Sequence, residues 1–248
     1  MFKEKTYQRI QKITESVYLD YIGLLIVVLG SIYLGFHKTI KPLNLFGVEI
    51  QNYYLGYQSI LSTSISVMVT RLVTRRKNIG NLIGTFNTVS VAMIEFMLGN
   101  TAAIITYPVS VIGNYYAYYL WKQKSEVVPI GINKWFFINF LFGFSISIVL
   151  NFIGFTNFLT TPNLEIQNMP LFITTTLLVG LTFGGQINTA KKYKENWFTW
   201  QLYNLTKFVQ NLQLGNIAQL LKYVFYFFNA TLGWITWSYV KKKKEGKF

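Results

Sequence analysis

The chain has 248 residues, of which 52% are hydrophobic, 18% aromatic and only 13% charged. A soluble domain of this size carries about 25% charged residues and cannot hide so much apolar surface, so the composition excludes an ordinary water-soluble globule. The formal net charge of +14 comes from basic residues interleaved with apolar runs and without base-reading motifs, which points to anionic lipid headgroups as partners and argues against nucleic acid.

Residues 1 to 18 are too polar to span a bilayer and place Tyr7, Ile10, Ile13 and Val17 at near-helical spacing. That pattern predicts a short amphipathic helix on the cytoplasmic surface. A signal peptide is the weaker reading, because residues 19 to 36 are long for its apolar core and lack a small-x-small cleavage site. Eight apolar segments follow, at 19 to 36, 53 to 73, 80 to 98, 101 to 121, 135 to 155, 169 to 189, 197 to 213 and 217 to 240, each about the length a transmembrane helix needs.

The second, third and seventh segments are only moderately apolar and draw support from the basic residues. With the N-terminus inside, the internal places hold Lys3 to Lys12, Arg71 to Lys77, Lys122 to Lys134, Lys191 to Lys194 and Lys241 to Lys247, most of the 23 basic residues. Lys38 and Lys41 fall outside, and Lys207 and Lys222 lie within segments. Eight crossings with both termini cytoplasmic satisfy the positive-inside asymmetry, whereas seven or nine scramble it. Residues 241 to 248 form a basic cytoplasmic tail whose lysines act as a stop signal and lipid contact.

Sliding the chain by 116 residues lays Leu98-Gly99-Asn100 on Leu214-Gly215-Asn216, Ala102 on Ala218, Tyr107 on Tyr223 and Trp121 on Trp237. Arg75-Arg76 falls on Lys191-Lys192 in the same register. The predicted architecture is therefore all-α and integral to a membrane, with eight transmembrane helices arranged one, three, one, three. An extra span at 19 to 36 precedes a three-helix repeat at 53 to 121, a linker helix at 135 to 155 and a second repeat at 169 to 240. Three spans plus one make the repeats parallel, a transporter architecture.

Enzyme chemistry is poorly represented. There is no cysteine, a single histidine (His37) beside Lys38, and no nucleotide-binding, zinc-protease or serine-hydrolase motif. Neither a metal site nor a cofactor is expected. Of nine carboxylates only Glu95 falls well inside a segment, so ion coupling has little support and passive facilitation is the expected mode.

The segment from 197 to 213 has two faces. Phe198, Leu202, Leu205, Val209 and Leu212 form one apolar stripe. Trp197, Trp200, Gln201, Asn204, Lys207 and Asn211 lie on the other side, which cannot face lipid and must line a cavity or polar seam. Trp197 follows a basic cluster and also suits an interfacial anchor. Trp200 lies about 4.5 Å deeper and Asn204 about 10 Å deeper, which favours a site.

The run Lys191-Lys192-Tyr193-Lys194-Glu195-Asn196-Trp197-Phe198-Thr199-Trp200, continued by Tyr203-Asn204, resembles the W-x-x-W-x-x-x-N signature of the PnuC family of bacterial vitamin transporters. Asn229-Ala230-x-x-Gly233-Trp234-x-x-Trp237 resembles that family's final span. The resemblance covers roughly residues 50 to 240. It implies a fold similar to a full-length SWEET sugar transporter and facilitated diffusion of nicotinamide riboside across the bacterial cytoplasmic membrane. A cytoplasmic kinase would trap the product, and homotrimers occur in the family. Relatives carry thiamin, riboflavin or deoxynucleosides. The family's site carries over to Trp197, Trp200 and Asn204, with Tyr203 adjacent.

The residue chemistry fits a nucleoside-like guest. Indole and phenol faces stack on a flat heterocycle, a pyridinium adds cation–π attraction, and amides such as Asn204 and Gln201 both donate and accept. Gln186, Asn188 and Asn229 are further candidates, and Asn87 and Asn114 fall within one residue of the repeat counterparts of Asn204 and Asn229. Lys207 shares the Asn204 face and would repel a cationic guest unless Glu95, which aligns with Asn211 in the repeat, neutralises it. An unpaired Lys207 would make a neutral deoxynucleoside the better guest. Rocking of the two units about a midplane site is the expected mechanism, with Gly180, Gly184, Gly185, Pro108 and Pro170 as hinge or close-packing positions. A non-transporting membrane scaffold is the reading from another class.

Overall fold

The computed structural model describes residues 4–45, 48–122, 129–156, 165–166 and 168–246. Within them lie α1 (Glu4–Glu15), α2 (Val17–Tyr33), α3 (Leu55–Thr74), α4 (Ile79–Met97), α5 (Ala103–Lys122), α6 (Lys134–Thr156), α7 (Met169–Ala190), α8 (Asn196–Leu214) and α9 (Ile217–Lys244). Between α2 and α3 a 3-10 turn at Phe36–Lys38 leads into an antiparallel hairpin of β1 (Lys41–Leu45) and β2 (Val48–Tyr53). One helix lies over each of the eight apolar segments. Hydropathy does not predict the hairpin, since two short strands of mixed polarity leave no trace in a window as long as a span.

Local chemistry sets several helix ends. Ser16 caps α2 by accepting from the Tyr18 amide, Asn168 caps α7 through Leu171 with Pro170 in the first turn, and Asn216 caps α9 through Gln219. Gly215 closes α8 in the left-handed region that a Cβ disfavours.

Outward faces are apolar and the interior is polar. Phe86, Leu141 and Phe228 are exposed, as is the whole predicted stripe of α8, whereas Asn87, Glu95, Asn204, Gln210 and Lys222 are buried. A water-soluble fold has the reverse distribution. With hydrocarbon outside, polar side chains find partners only inside. Among the described residues α6 and α7 are each long and apolar enough to cross a bilayer, and α1 with α2 form a bent pair, 52° apart, that is so when taken together. The remaining long helices are diluted by the polar residues that they turn inward.

The 116-residue offset is visible in the backbone. Arg76 and Lys192 share positive φ, 62° and 70°, as do Gly99 and Gly215, 105° and 66°. The hydrogen bonds of these turns repeat as well. Lys77 N donates to Leu72 O at 2.8 Å and Tyr193 N to Asn188 O at 3.0 Å, while Asn100 N donates to Glu95 O at 2.9 Å and Asn216 N to Asn211 O at 3.0 Å. Trp121 Nε1 reaches Ala190 O (3.2 Å) in the second unit, and Trp237 Nε1 reaches Thr74 O (3.1 Å) in the first. These reciprocal bonds, with the two indoles 6.0 Å apart, mark a pseudo-two-fold axis.

The same offset carries α6 onto α2 and Ser147 onto Ser31, both fully buried. α2 packs on α3 and α9 just as α6 packs on α7 and α5. The predicted extra span and linker helix therefore have similar surroundings, α2 preceding the first three-helix set, α3–α5, and α6 the second, α7–α9. Gly180 and Gly184 are close-packing positions, because a Cβ at either would overlap Phe144 or Phe140 of α6.

Residues 4–15 form the expected short amphipathic helix, α1, in which Tyr7 is buried and stacks on Tyr239 at 5.7 Å while Ile13 is exposed; Val17 already belongs to α2. One placement differs from the hydropathy reading. Arg71, counted as a cytoplasmic-loop charge, is fully buried in α3. Its Nε donates to Asp20 Oδ1 at 2.6 Å, its Nη1 to Asn229 Oδ1 at 2.8 Å, and its Nη2 to the carbonyls of Thr14 and Ser16 at the α1–α2 bend. Arg75 also binds Asp20. A span-end carboxylate thus becomes the anchor that joins α1 and α2 to α3 and α9.

Asp20→Asn leaves Arg71 buried without a counter-charge. It should destabilise the protein by about 3–5 kcal/mol, read as a lowered midpoint of thermal unfolding in detergent, and adding Arg71→Met should recover most of that loss.

Candidate functional site

A cavity of about 240 Å³ lies between α3, α4 and α5 of the first unit and α7, α8 and α9 of the second. Its depth follows α8 from Trp197 to Gln210, about 20 Å at 1.5 Å per residue. Both units contribute polar groups, so the wall is continuous only when they are packed together.

The upper end of α8 forms an aromatic collar. Trp197 is buried, meets Trp237 edge-on at 5.5 Å, and lies over Gly233, where a Cβ would come within 2.8 Å of the indole. The two sequence motifs on α8 and α9 are therefore a packing pair, with the glycine making room for the tryptophan. Trp200, one turn deeper and partly exposed, donates from Nε1 to Thr189 Oγ1 (3.2 Å) and meets Tyr203 edge-on at 5.4 Å.

The amides of the wall fall into two kinds. Asn87 donates to Ser62 O and Ser66 Oγ and accepts from Ser62 Oγ, all within 3.0 Å. Asn114 and Gln186 bond each other across the units at 3.2 Å, and Asn229 accepts from Arg71 and donates to Thr74. Asn204 differs: it is 4% exposed, lines the cavity, and its amide makes no hydrogen bond among the described residues. A buried amide without a protein partner is costly unless a guest or water supplies one.

Gln201 and Asn188 lie away from the cavity and correct the sequence-based reading. Gln201 Nε2 donates to Phe227 O (2.8 Å) and Thr231 Oγ1 (2.6 Å), in the α8–α9 seam. Asn188 Nδ2 donates to Phe136 O (3.1 Å) and its Oδ1 accepts from Asn139 (2.7 Å), in the α6–α7 seam. One residue along a helix turns a side chain by about 100°, enough to move it from wall to seam.

The deep end is charged. Lys207 Nζ donates to Glu95 Oε1, to Gln210 Oε1 (2.6 Å) and to the Tyr107 hydroxyl (3.3 Å), while Glu95 Oε2 accepts from Asn100 Nδ2 (2.9 Å). Both charges are nearly inaccessible, and the pair joins α4 of one unit to α8 of the other. Beside them lies Lys222, 3% exposed and part of the wall, with its ammonium 4.5 Å from the Tyr223 ring centroid and 5.3 Å from that of Tyr226. Sequence reasoning left Lys222 without a role. The available signal was a lysine six residues inside an apolar segment, but its repeat counterpart is Thr106, so the offset offered no partner. Among the described residues no cluster of metal-ligating side chains occurs.

Lys207→Gln and Glu95→Gln each strand the other charge and should each cost about 3–5 kcal/mol of stability. The double variant should cost clearly less than the two losses together, as measured by a double-mutant cycle on unfolding midpoints.

The nicotinamide mononucleotide transporter family matches residues 56–239. A solved structure, described as the crystal structure of the vitamin B3 transporter PnuC, is similar over 92% of this chain and 93% of that one, with a TM-score of 0.65 and 13% identity. That likeness concerns the fold. No curated protein matches by sequence. With the matched region spanning most of its length, including both tryptophan motifs and the whole cavity wall, the chain belongs to the nicotinamide mononucleotide transporter (PnuC) family of membrane transporters.

Proposed function

We propose that this chain is a facilitative membrane carrier for a nucleoside-like vitamin of the nicotinamide riboside class, with deoxynucleosides and thiamin as the alternatives within its family. The observation that carries the reading is the unpartnered Asn204 amide, set beside Trp200 and Tyr203 on a cavity wall shared by two pseudo-symmetric units. An aromatic face stacks on a heterocycle and a free amide matches ribose hydroxyls or a carboxamide.

In this mechanism α2–α9 are eight crossings with both termini cytoplasmic, and anionic lipids meet the basic helix ends. The units rock about the Trp121–Trp237 axis and open the cavity to either side in turn. With Lys207 bound to Glu95, the cavity wall offers no spare carboxylate among the described residues to couple an ion gradient, so the guest moves down its own gradient. A cytoplasmic kinase acting on the imported nucleoside would keep that gradient inward, and a homotrimer is the assembly expected from the family.

Trp200→Ala and Asn204→Ala should each weaken binding of the transported nucleoside by about fivefold to a hundredfold, since stacking is worth about 1–3 kcal/mol per base and an unmatched polar group costs a similar amount. Calorimetry on purified protein, with nicotinamide riboside, thymidine and thiamin as probes, reads this directly. Loss of thermal stability with unchanged binding would favour a non-transporting scaffold instead.

A further inference from the structure

The two units meet along two related seams, α3 with α9 and α5 with α7. In the half of the α3–α9 seam away from the basic helix ends, Ser59 Oγ donates to Asn216 Oδ1 at 3.0 Å and the Tyr226 hydroxyl donates to Ser66 O. Between those two bonds lie Thr63 on α3 and Gln219 on α9, 0% and 2% exposed. Thr63 Oγ1, Gln219 Nε2, Asn216 Nδ2 and Asn211 Oδ1 are all buried without a hydrogen-bond partner among the described residues. None of these four residues lines the cavity, yet Ser66 and Lys222, one turn further along α3 and α9, do.

The same places in the other seam are built differently. The 116-residue offset pairs Thr63 with Val179 and Gln219 with Ala103, both buried and apolar. Asn211 and Asn216 correspond to Glu95 and Asn100, which bond each other at 2.9 Å and leave Asn100 Oδ1 as their one unpartnered atom. The fold is therefore made at Val179 and Ala103 without polar groups, and packing does not call for Thr63 and Gln219. Buried polar atoms without partners are destabilising, a penalty that water or a passing polar guest removes.

We propose that the α3–α9 seam is the entry site through which the guest reaches the cavity from the face away from the basic helix ends, with Thr63, Asn211, Asn216 and Gln219 receiving its hydroxyl groups. This rests on the nucleoside-carrier reading above and assigns that carrier's access route. Two amide N–H groups, an amide carbonyl and a hydroxyl are uncharged donors and acceptors that match the neighbouring hydroxyls of a ribose. They are indifferent to the charge of the base, so a pyridinium nucleoside and uridine share the route. Opening parts the Ser59–Asn216 and Tyr226–Ser66 bonds, while Glu95 and Lys207 stay paired between α4 and α8.

The chain contains no cysteine, so single-cysteine variants of the full-length protein carry no background. Thr63→Cys, Gln219→Cys and the pseudo-equivalent Ala103→Cys are reconstituted in sealed vesicles of defined orientation, and a charged, membrane-impermeant thiol reagent is added at the face away from the basic helix ends. Thr63→Cys and Gln219→Cys should label at least about tenfold faster than Ala103→Cys, and nicotinamide riboside or uridine should slow that labelling by at least about threefold. Labelling no faster than at Ala103→Cys overturns the proposal. So does labelling that neither nucleoside slows in a preparation that binds them by calorimetry, and in that case the carrier reading stands. If neither variant folds, hydrogen exchange on the wild type decides: peptides from 59–66 and 211–222 should exchange at least about threefold faster than those from 95–106 and be slowed by either nucleoside, and equal exchange overturns the proposal. If neither nucleoside binds the wild type, the carrier reading fails and takes this proposal with it.

Discussion

Glu95 and Lys207 sit together inside a bundle whose outer surface is apolar, and much of the arrangement follows from where that pair must be. Neither charge is tolerable at such depth alone. Each needs the opposite unit, because Glu95 is on α4 and Lys207 on α8. Gln210 and Asn100 occupy further donor and acceptor positions of the pair, and Gln210 passes the network on to Thr175 at 2.8 Å. The result is a polar network at the deep end of the cavity wall that ties α4 of one unit to α8 of the other.

At the other end the joint is aromatic. Trp121 and Trp237 each donate an indole hydrogen bond to a backbone carbonyl of the opposite unit, Ala190 O and Thr74 O, and Trp197 leans on Trp237 over Gly233. An ionic joint is rigid in geometry and strongly dependent on both partners, whereas edge-on indoles tolerate small rotations at little cost. A bundle with one joint of each kind has its more adaptable joint at the aromatic end. Asp20, Arg71 and Asn229 tie α2 to that same end, and Arg71 bridges α2 and α9.

The helix layout was legible because span length and the 116-residue offset are properties of the chain itself, independent of packing. Left-handed turns at Arg76 and Lys192 fall where the offset put matching basic loops. The apolar stripe of α8 was legible for the same reason, and its polar face led to Trp200, Tyr203 and Asn204. What the pattern could not resolve was which polar neighbour a side chain meets. Gln201 and Asn188 read as wall residues by composition, yet a rotation of one residue turns them into seams against α9 and α6. Arg71 read as a loop charge because Asp20, its partner, is 51 positions away. Lys222 had no signal beyond its own depth, and the equivalence of α2 with α6 emerged only once their neighbours were known.

The carrier mechanism is tested most directly by counterflow. Sealed liposomes containing the purified protein are loaded with unlabelled nucleoside and diluted into trace labelled nucleoside, with no ion gradient. An alternating-access carrier predicts a transient accumulation of label above equilibrium, absent from liposomes that were not preloaded and absent with Trp200→Ala. Simple equilibration of label irrespective of preloading, or no entry at all, would contradict it.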